Sequence, residues 1–402
     1  MLLSVAAAEK IVLARVPPLP GEDCPLKNAH GRVLREPVVA DRDLPPFDRA
    51  MLDGLALHLA NATGRRQFAI EGIQAAGTIR HSLRDAAAGW QIATGAPLPR
   101  DCDTIVPVED LELAGAVARL RRGARLPEHP GHGVHRCGQD ARAGAVLVPV
   151  GTRLGPHDIG IAAAVGRGTL RVALAPRVAV VATGDELVDV ETRPAPHQIR
   201  RSNDHALRAL LLAAGCATVD RFHLRDLEQE IETELRRIIA EYDWVVLCGG
   251  VSKGRFDFLP VVLDRLRVER CFHGVAQRPG KPFWFGVTPR QTPVFALPGN
   301  PVAVLICAHR FVLPALALAS GAAAAPEQRV ALAAAVAGPP DFTLFVPARV
   351  TTDATARRVA QPAPVHNSGD FAGLAGTDGF VELPPAPRWR RAGAVVRWHP
   401  WK

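Results

Sequence analysis

Between residues 173 and 320, short runs of purely apolar residues alternate with stretches whose apolar residues recur every three or four positions, and few folds accept that alternation. Val178 to Val181, Trp244 to Leu247 and Val294 to Leu297 carry no polar residue, so each predicts a strand covered on both faces. Ser202 or Asn203 can cap a helix in which Ala206, Leu207, Leu210, Leu211 and Ala214 keep the helical period until Gly215. Ile231, Leu235, Ile238 and Ile239 mark a second helix, Val261, Val262 and Leu266 a third, and a long apolar helix follows Leu297. Strands and helices in that order predict a doubly wound parallel sheet with helices on both sides. Such sheets bind ligands beyond the carboxyl ends of their strands, where the strand order reverses.

The flanks read differently. Residues 1–172 are rich in Gly, Pro and short apolar runs, with one helical piece near 156–165 that Pro156 can open and Gly166 can close. The stretch SGAAAAPE (320–327) is a small-residue linker, and 327–402 returns to short β-like runs at Val330 to Val336, Phe342 to Val350, Phe380 to Leu383 and Ala394 to Trp398. The expected fold is therefore α/β plus β, in three parts: 1–172, 173–320 and a small β domain over 327–402.

With 402 residues, 48% hydrophobic and 22% charged, the chain has globular values, which excludes a disordered or collagen-like polymer. Seven cysteines, odd in number and without a CxxC pair, argue against a zinc ribbon or a disulfide framework and for a reducing compartment. No basic residue precedes Glu9, unlike a signal peptide, and the apolar stretch 302–319 is interrupted by His309, Arg310 and Pro314. A cytoplasmic protein without a membrane partner is expected. The formal charge of +8 comes from Arg scattered among acids, and aromatics are only 5%, so the basic, aromatic-laced stripe of a nucleic-acid binder is missing. The excess suits small anions instead.

Three turns leave the predicted strand ends. They are Thr183-Gly184-Asp185-Glu186 after VAVVA, Gly249-Gly250-Val251-Ser252-Lys253-Gly254 after WVVLC, and Pro298-Gly299-Asn300-Pro301 after PVFAL. Adjacent glycines let successive N–H groups turn toward phosphate oxygens, Ser252 adds a hydroxyl, and Asp257 opens the next helix. The spacing misses the Walker A pattern, so a P-loop ATPase is not supported. Any one turn could be an ordinary connection; three on one sheet point to an anion-binding hollow. Arg278-Pro279-Gly280-Lys281-Pro282 places two cations three residues apart on a stiff segment, suited to a tetrahedral oxyanion. Glu128, His129, His132, His135 and Cys137 offer metal-ligand types, but no period places them on one face, and zinc is not expected.

The ordered set PPFD…LDG (45–54), IATGAPLP (92–99), GQD (138–140), TGDEL (183–187), SND (202–204), GGVSKGRFD (249–257), RPGKP (278–282) and PGNPV (298–302) resembles the molybdopterin molybdenumtransferases, the bacterial MoeA proteins and the matching domain of gephyrin. The resemblance runs from about residue 5 to 400, the last 80 residues matching in character only. It implies a split N-terminal α+β region with an insertion at about 37–150, a central molybdopterin-binding domain like the MogA adenylyltransferase, and a C-terminal β-barrel. It further implies an insertase that ligates molybdate to adenylylated molybdopterin and releases AMP with Mg2+, working as a homodimer with its active site at the subunit interface. A molybdopterin adenylyltransferase and acceptor molybdoenzymes are implied as partners.

Residue by residue, the resemblance gives substrate-binding roles to Thr183, Gly184, Gly249, Gly250, Ser252, Pro298, Asn300 and Pro301. Molybdate falls to Arg278, Lys281 and Ser368. Catalytic roles fall to Glu186 and Asp257, with Asp53, Thr94 and Asp140 arriving from the partner subunit. Asp185, Glu186, Asp226 and Asp257 are the implied magnesium ligands. Some positions depart from the pattern: Arg278 stands where Lys is usual, Ala50 and Ala303 where Ser is common, and Pro347 where a basic residue is expected, with Arg349 the nearest substitute. These leave room for a specialised paralogue or a non-catalytic pterin-binding scaffold.

Overall fold

The computed structural model describes residues 2–251, 258–363, 367–386 and 389–402. The chain divides into two compact units, Met1–Glu36 with Val150–Gly155 and Thr169–Lys402, and Pro37–Pro149 with Pro156–Gly168.

The first unit is built on a six-stranded sheet. Its strands in chain order are β1 (Arg177–Thr183), β2 (Thr218–Leu224), β3 (Trp244–Cys248), β4 (Glu269–His273), β5 (Trp284–Val287) and β6 (Pro293–Leu297). They lie side by side as β2-β1-β3-β6-β5-β4. The first four pair in parallel, as the apolar runs predict for β1, β3 and β6, and β5 and β4 extend the sheet antiparallel at one edge.

Helices cover both faces: α1 (Val5–Arg15), α2 (Asn203–Ala213), α3 (Glu228–Glu241), α4 (Leu259–Arg265) and α5 (Pro301–Cys307). The last continues through a π-helical turn, Ala308–Val312, into Leu313–Ala319. Alternate strand residues serve the two sides. Val178, Val180, Ala182 and Val246 pack against Leu207 and Leu211 of α2, Ile306 of α5, and Val5, Ala8 and Val12 of α1. Ala179, Val181, Val245 and Leu247 pack against Ile231, Leu235 and Ile238 of α3 and Val262 and Leu263 of α4. Each Val, Leu or Ile so buried contributes about 1.5–3 kcal/mol, which is why these strands hold no polar residue. The run 301–319 is long and apolar enough to cross a membrane by composition alone, but two thirds of it is buried inside this unit, as a core helix is.

Beyond the sheet, the chain closes a five-stranded barrel. Strand β8 (Thr343–Thr352) pairs with β9 (Arg358–Pro362) and β10 (Gly379–Leu383), while β7 (Arg329–Leu332) pairs with β9 and β11 (Val395–Pro400), and β11 returns to β10. Val330, Leu332, Leu344, Val381, Leu383 and Trp398 fill it.

The second unit carries its own six-stranded sheet, including Gly54–Leu57, Gly89–Ile92 and Thr104–Pro107. Gly54 is required there: a Cβ would collide with the Val106 carbonyl of the neighbouring strand.

Candidate active site

Because β1, β3 and β6 are parallel neighbours, their carboxyl ends come out together. Ala182 pairs with Cys248, and Cys248 with Leu297, so the three glycine turns start from adjacent positions. Gly249 and Gly250 have φ of +104° and +66°, conformations that L side chains avoid. A Cβ at 249 would lie 3.0 Å from the Thr183 carbonyl, and one at 299 would lie 3.5 Å from Gly249 Cα. Asn203, at the start of α2, locks the third turn by donating from Nδ2 to Gly299 O at 2.7 Å.

These turns line a cavity of about 500 Å3 that also receives Glu186, Arg200, Arg201, Asp204 and Asp226. Arg201 is committed to Asp189 at 2.5 Å and to the fully buried Asp204 at 3.4 Å, and its charge holds the Asp189 carboxyl below the usual range. Arg221 also reaches Asp204, at 3.2 Å. Thr183 Oγ1 is buried at the cavity wall with no hydrogen-bond partner among the described residues. Its hydroxyl is thus available to a ligand, since buried polar groups are otherwise paired. The Asp226 N–H donates to Asp185 Oδ1 at 3.2 Å, and His223 Nε2 lies 2.9 Å from Gly184 O. Among the described residues, no three His, Cys, Asp or Glu side chains gather as a metal cluster.

A second cavity, about 750 Å3, adjoins the first and shares Pro282, Pro298, Gly299 and Asn300 with it. Arg278 and Lys281 line it, both exposed and without an ion-pair partner among the described residues. Lys281 Nζ sits 6.0 Å from the Phe342 ring centroid. Asn300 Nδ2 donates to Ser368 Oγ at 2.6 Å, and Val302 N to Ser368 O at 3.1 Å, bringing Ser368 to the third turn. Ala303 and Pro347 line this cavity as well. Arg349 does not replace the missing base at 347: it is absent from the lining, and its Nε donates to Gly376 O at 2.9 Å. Ser252 and Asp257 fall outside the described residues.

In the second unit, Asp53 accepts from Thr94 N at 2.6 Å and Thr94 Oγ1 at 2.8 Å, bonds that hold its carboxyl below the ordinary range. Asp140 lies 2.8 Å from His135 Nε2, whose other nitrogen faces Arg49 Nη2 at 3.2 Å. His132 Nδ1 is 2.9 Å from Ile105 O. Asp48 of the PPFD segment accepts from Cys137 N and Arg136 and fastens that loop.

Sequence reasoning quoted SND without giving it a site role, and missed Arg200 and Arg201. Their part comes from tertiary neighbours, which spacing along the chain does not reveal.

Three family descriptions cover the chain: MoeA N-terminal region (domain I and II) at residues 3–166, probable molybdopterin binding domain at 179–318, and MoeA C-terminal region (domain IV) at 329–401. A molybdopterin molybdenumtransferase of Synechocystis sp. is 37% identical over 402 residues, spanning 100% of both chains. One from Synechococcus elongatus is 34% identical over 414 residues, covering 98% of this chain and 99% of the other. Two solved structures of the molybdopterin biosynthesis MoeA protein from Pyrococcus horikoshii align over 100% of both chains, with TM-scores of 0.83 and 0.84 at 28% and 24% identity.

Proposed function

Because the chain belongs to the MoeA family of molybdopterin molybdenumtransferases, and is thus a transferase of molybdenum cofactor biosynthesis, we propose that it ligates molybdate to the dithiolene of adenylylated molybdopterin and releases AMP. The observation that carries this reading is the pair of adjoining cavities with a common wall at Pro282, Pro298, Gly299 and Asn300. One is lined by glycine turns where the missing Cβ lets a phosphate come close to the backbone, with Gly184 N and Gly249 N themselves donating to Leu224 O at 3.3 Å and Leu297 O at 3.2 Å. The other holds two unpaired cations that suit a tetrahedral dianion. A pterin bridging the shared wall would present its sulfurs to the metal oxyanion while its phosphate stays in the first cavity. Two Mo–S bonds would form as the two thiol protons carry one oxo group away as water, and a second water would cleave the phosphoanhydride that joins AMP to the pterin.

In this mechanism Gly249, Gly250, Thr183 and Ser252 hold the phosphate, and Arg278, Lys281 and Ser368 hold molybdate. Asn300 orients Ser368 at the junction. The protein's contribution is positioning and charge neutralisation rather than covalent chemistry.

The donor set of the first cavity fits magnesium. The ion takes one or two carboxylates and completes its shell with phosphate and water, and Glu186 and Asp226 both line that cavity. Glu186, Asp226 and Asp257 would hold it, with Asp185 steadying the Asp226 backbone. When bound, magnesium offsets phosphate charge. We further propose a cytoplasmic homodimer in which Asp53, Thr94 and Asp140 complete the partner's site, supplied by a molybdopterin adenylyltransferase and emptied by acceptor molybdoenzymes.

The test is AMP release from adenylylated molybdopterin with Mg2+. It should require molybdate and disappear in Glu186→Ala and Asp257→Ala. Release that ignores molybdate would defeat the proposal.

A further inference from the structure

Gln277 has no solvent-exposed surface; it lies behind the turn that carries the two cations, in the wall of the second cavity. Its Nε2 donates to Gly280 O at 3.2 Å and to Cys307 Sγ at 3.2 Å. Gly280 O also accepts from Phe283 N at 3.2 Å, and Val275 N donates to Lys281 O at 2.9 Å, so the carbonyl at the middle of the turn is held from two sides. Gly280 has φ +99°, and a Cβ there would run into Gln277 Nε2 and Cys307 Sγ. The amide and the thiol thus fill the space under the turn.

Their anchors lie on separate elements. Cys307 ends the first segment of α5, whose start is the Pro298–Pro301 turn, while Gln277 and Arg278 pair in parallel with Thr343 and Leu344 of the barrel. Burial pushes the Cys307 thiol up to about 12, so it is neutral at working pH and receives the amide as a neutral sulfur. Gln277 Oε1 has no hydrogen-bond partner among the described residues. An unpaired buried acceptor is costly, and a Met or Leu would fill the volume without it. The amide therefore matters here for its donor.

We propose, resting on the molybdate site described above, that Gln277 with Cys307 is a positioning pair: it sets the geometry of the Arg278–Lys281 turn and thereby the affinity for the oxyanion, without touching the anion. Gln277→Met keeps length and removes the donor; Cys307→Ala removes the sulfur and keeps the Gly280 bond. Molybdate binding is measured by calorimetry with molybdate alone. The KM for each substrate and kcat are measured by molybdate-dependent AMP release. Gln277→Met should raise the molybdate Kd and KM about tenfold, equivalent to about 1.4 kcal/mol, with kcat and the KM for adenylylated molybdopterin within about twofold. Cys307→Ala should raise the molybdate values about threefold, the smaller loss expected of one weak sulfur acceptor.

Unchanged molybdate affinity in Gln277→Met, or an equal rise for both substrates, overturns the proposal. Should that variant not fold, unchanged affinity in Cys307→Ala does so. Wild-type protein that binds no molybdate would sink the insertase reading and this inference with it. Wild-type binding alongside an unaffected Gln277→Met sinks only the positioning role.

Discussion

Gly249→Ala puts the phosphate assignment under direct strain. The residue has φ +104°, and the added Cβ would sit 3.0 Å from both Thr183 O and Thr183 Oγ1. That carbonyl belongs to β1 at the end of the sheet and cannot swing aside as a flexible side chain could. Holding an L residue in such a backbone region costs about 1–3 kcal/mol, which the turn can relieve only by leaving its native conformation. If about 2 kcal/mol is released that way, the binding-competent fraction falls about thirtyfold, and the apparent Kd rises by the same factor. Isothermal titration with AMP and Mg2+ should show that loss, with molybdate affinity within about twofold, because Arg278 and Lys281 sit on another segment. Gly77→Ala is the control: φ is +78°, with no atom within 4 Å of the new Cβ. It should leave both ligands unaffected. A folded Gly249→Ala that binds AMP like wild type would refute the reasoning.

The other predictions follow from charge. Arg278→Met and Lys281→Met should each raise the molybdate KM about tenfold or more and flatten its salt dependence, since charge-assisted bonds to an anion are lost; kinetics at low and high salt that match wild type would contradict this. AMP affinity should collapse on chelation of Mg2+ while molybdate affinity persists, checked by titrating each ligand with and without EDTA. Burial opposes ionisation of Glu382, yet the His399 hydrogen bond and the Arg310 charge outweigh it and hold the carboxyl at about 2, against an ordinary 4.5. A lowered acid pKa gives stability present above pH 4.5 and lost as pH falls toward 2, here about 3 kcal/mol. Glu382→Gln should therefore weaken the barrel at pH 6 and narrow the gap to wild type at pH 3, followed by denaturant titration of tryptophan fluorescence.

Strands β1, β3 and β6 were legible because both faces are buried, and burial on both faces excludes polar residues. Strand β2, with sequence TVDRFHL, was not: it lies at the sheet edge, where Asp220, Arg221 and His223 remain partly exposed and break the apolar run. Helix α1 was missed too. Its buried stripe Val5, Ala8 and Val12 is masked because Ala6 and Ala7 make residues 5–8 one continuous apolar run without a visible period, although Ser4 caps the helix by accepting from Ala7 N at 3.2 Å. In the site, glycines announced the turns, because a positive φ is demanded locally. Asn203 and Gln277 did not announce themselves, since Asn203 acts on Gly299, 96 residues away, and Gln277 on Cys307.

The described linings of the two cavities differ in charge, and that difference supports the proposed division of the ligands between them. No carboxylate lines the second, so Arg278 and Lys281 give it two net positive charges from the described residues. Among the described residues the first cavity is lined by Glu186, Asp204 and Asp226 with Arg200 and Arg201, and Asp204 is paired with Arg201 and Arg221. Two unit charges 4 Å apart at an effective dielectric of 20 interact by about 4 kcal/mol. A phosphate entering beside Glu186 would meet that repulsion, which an accompanying cation would offset. A divalent ion would reverse the sign at once, using that same carboxylate as a ligand. On the proposed reading, the acid-lined cavity would take its anion together with a metal and the arginine-lysine cavity would take its anion bare.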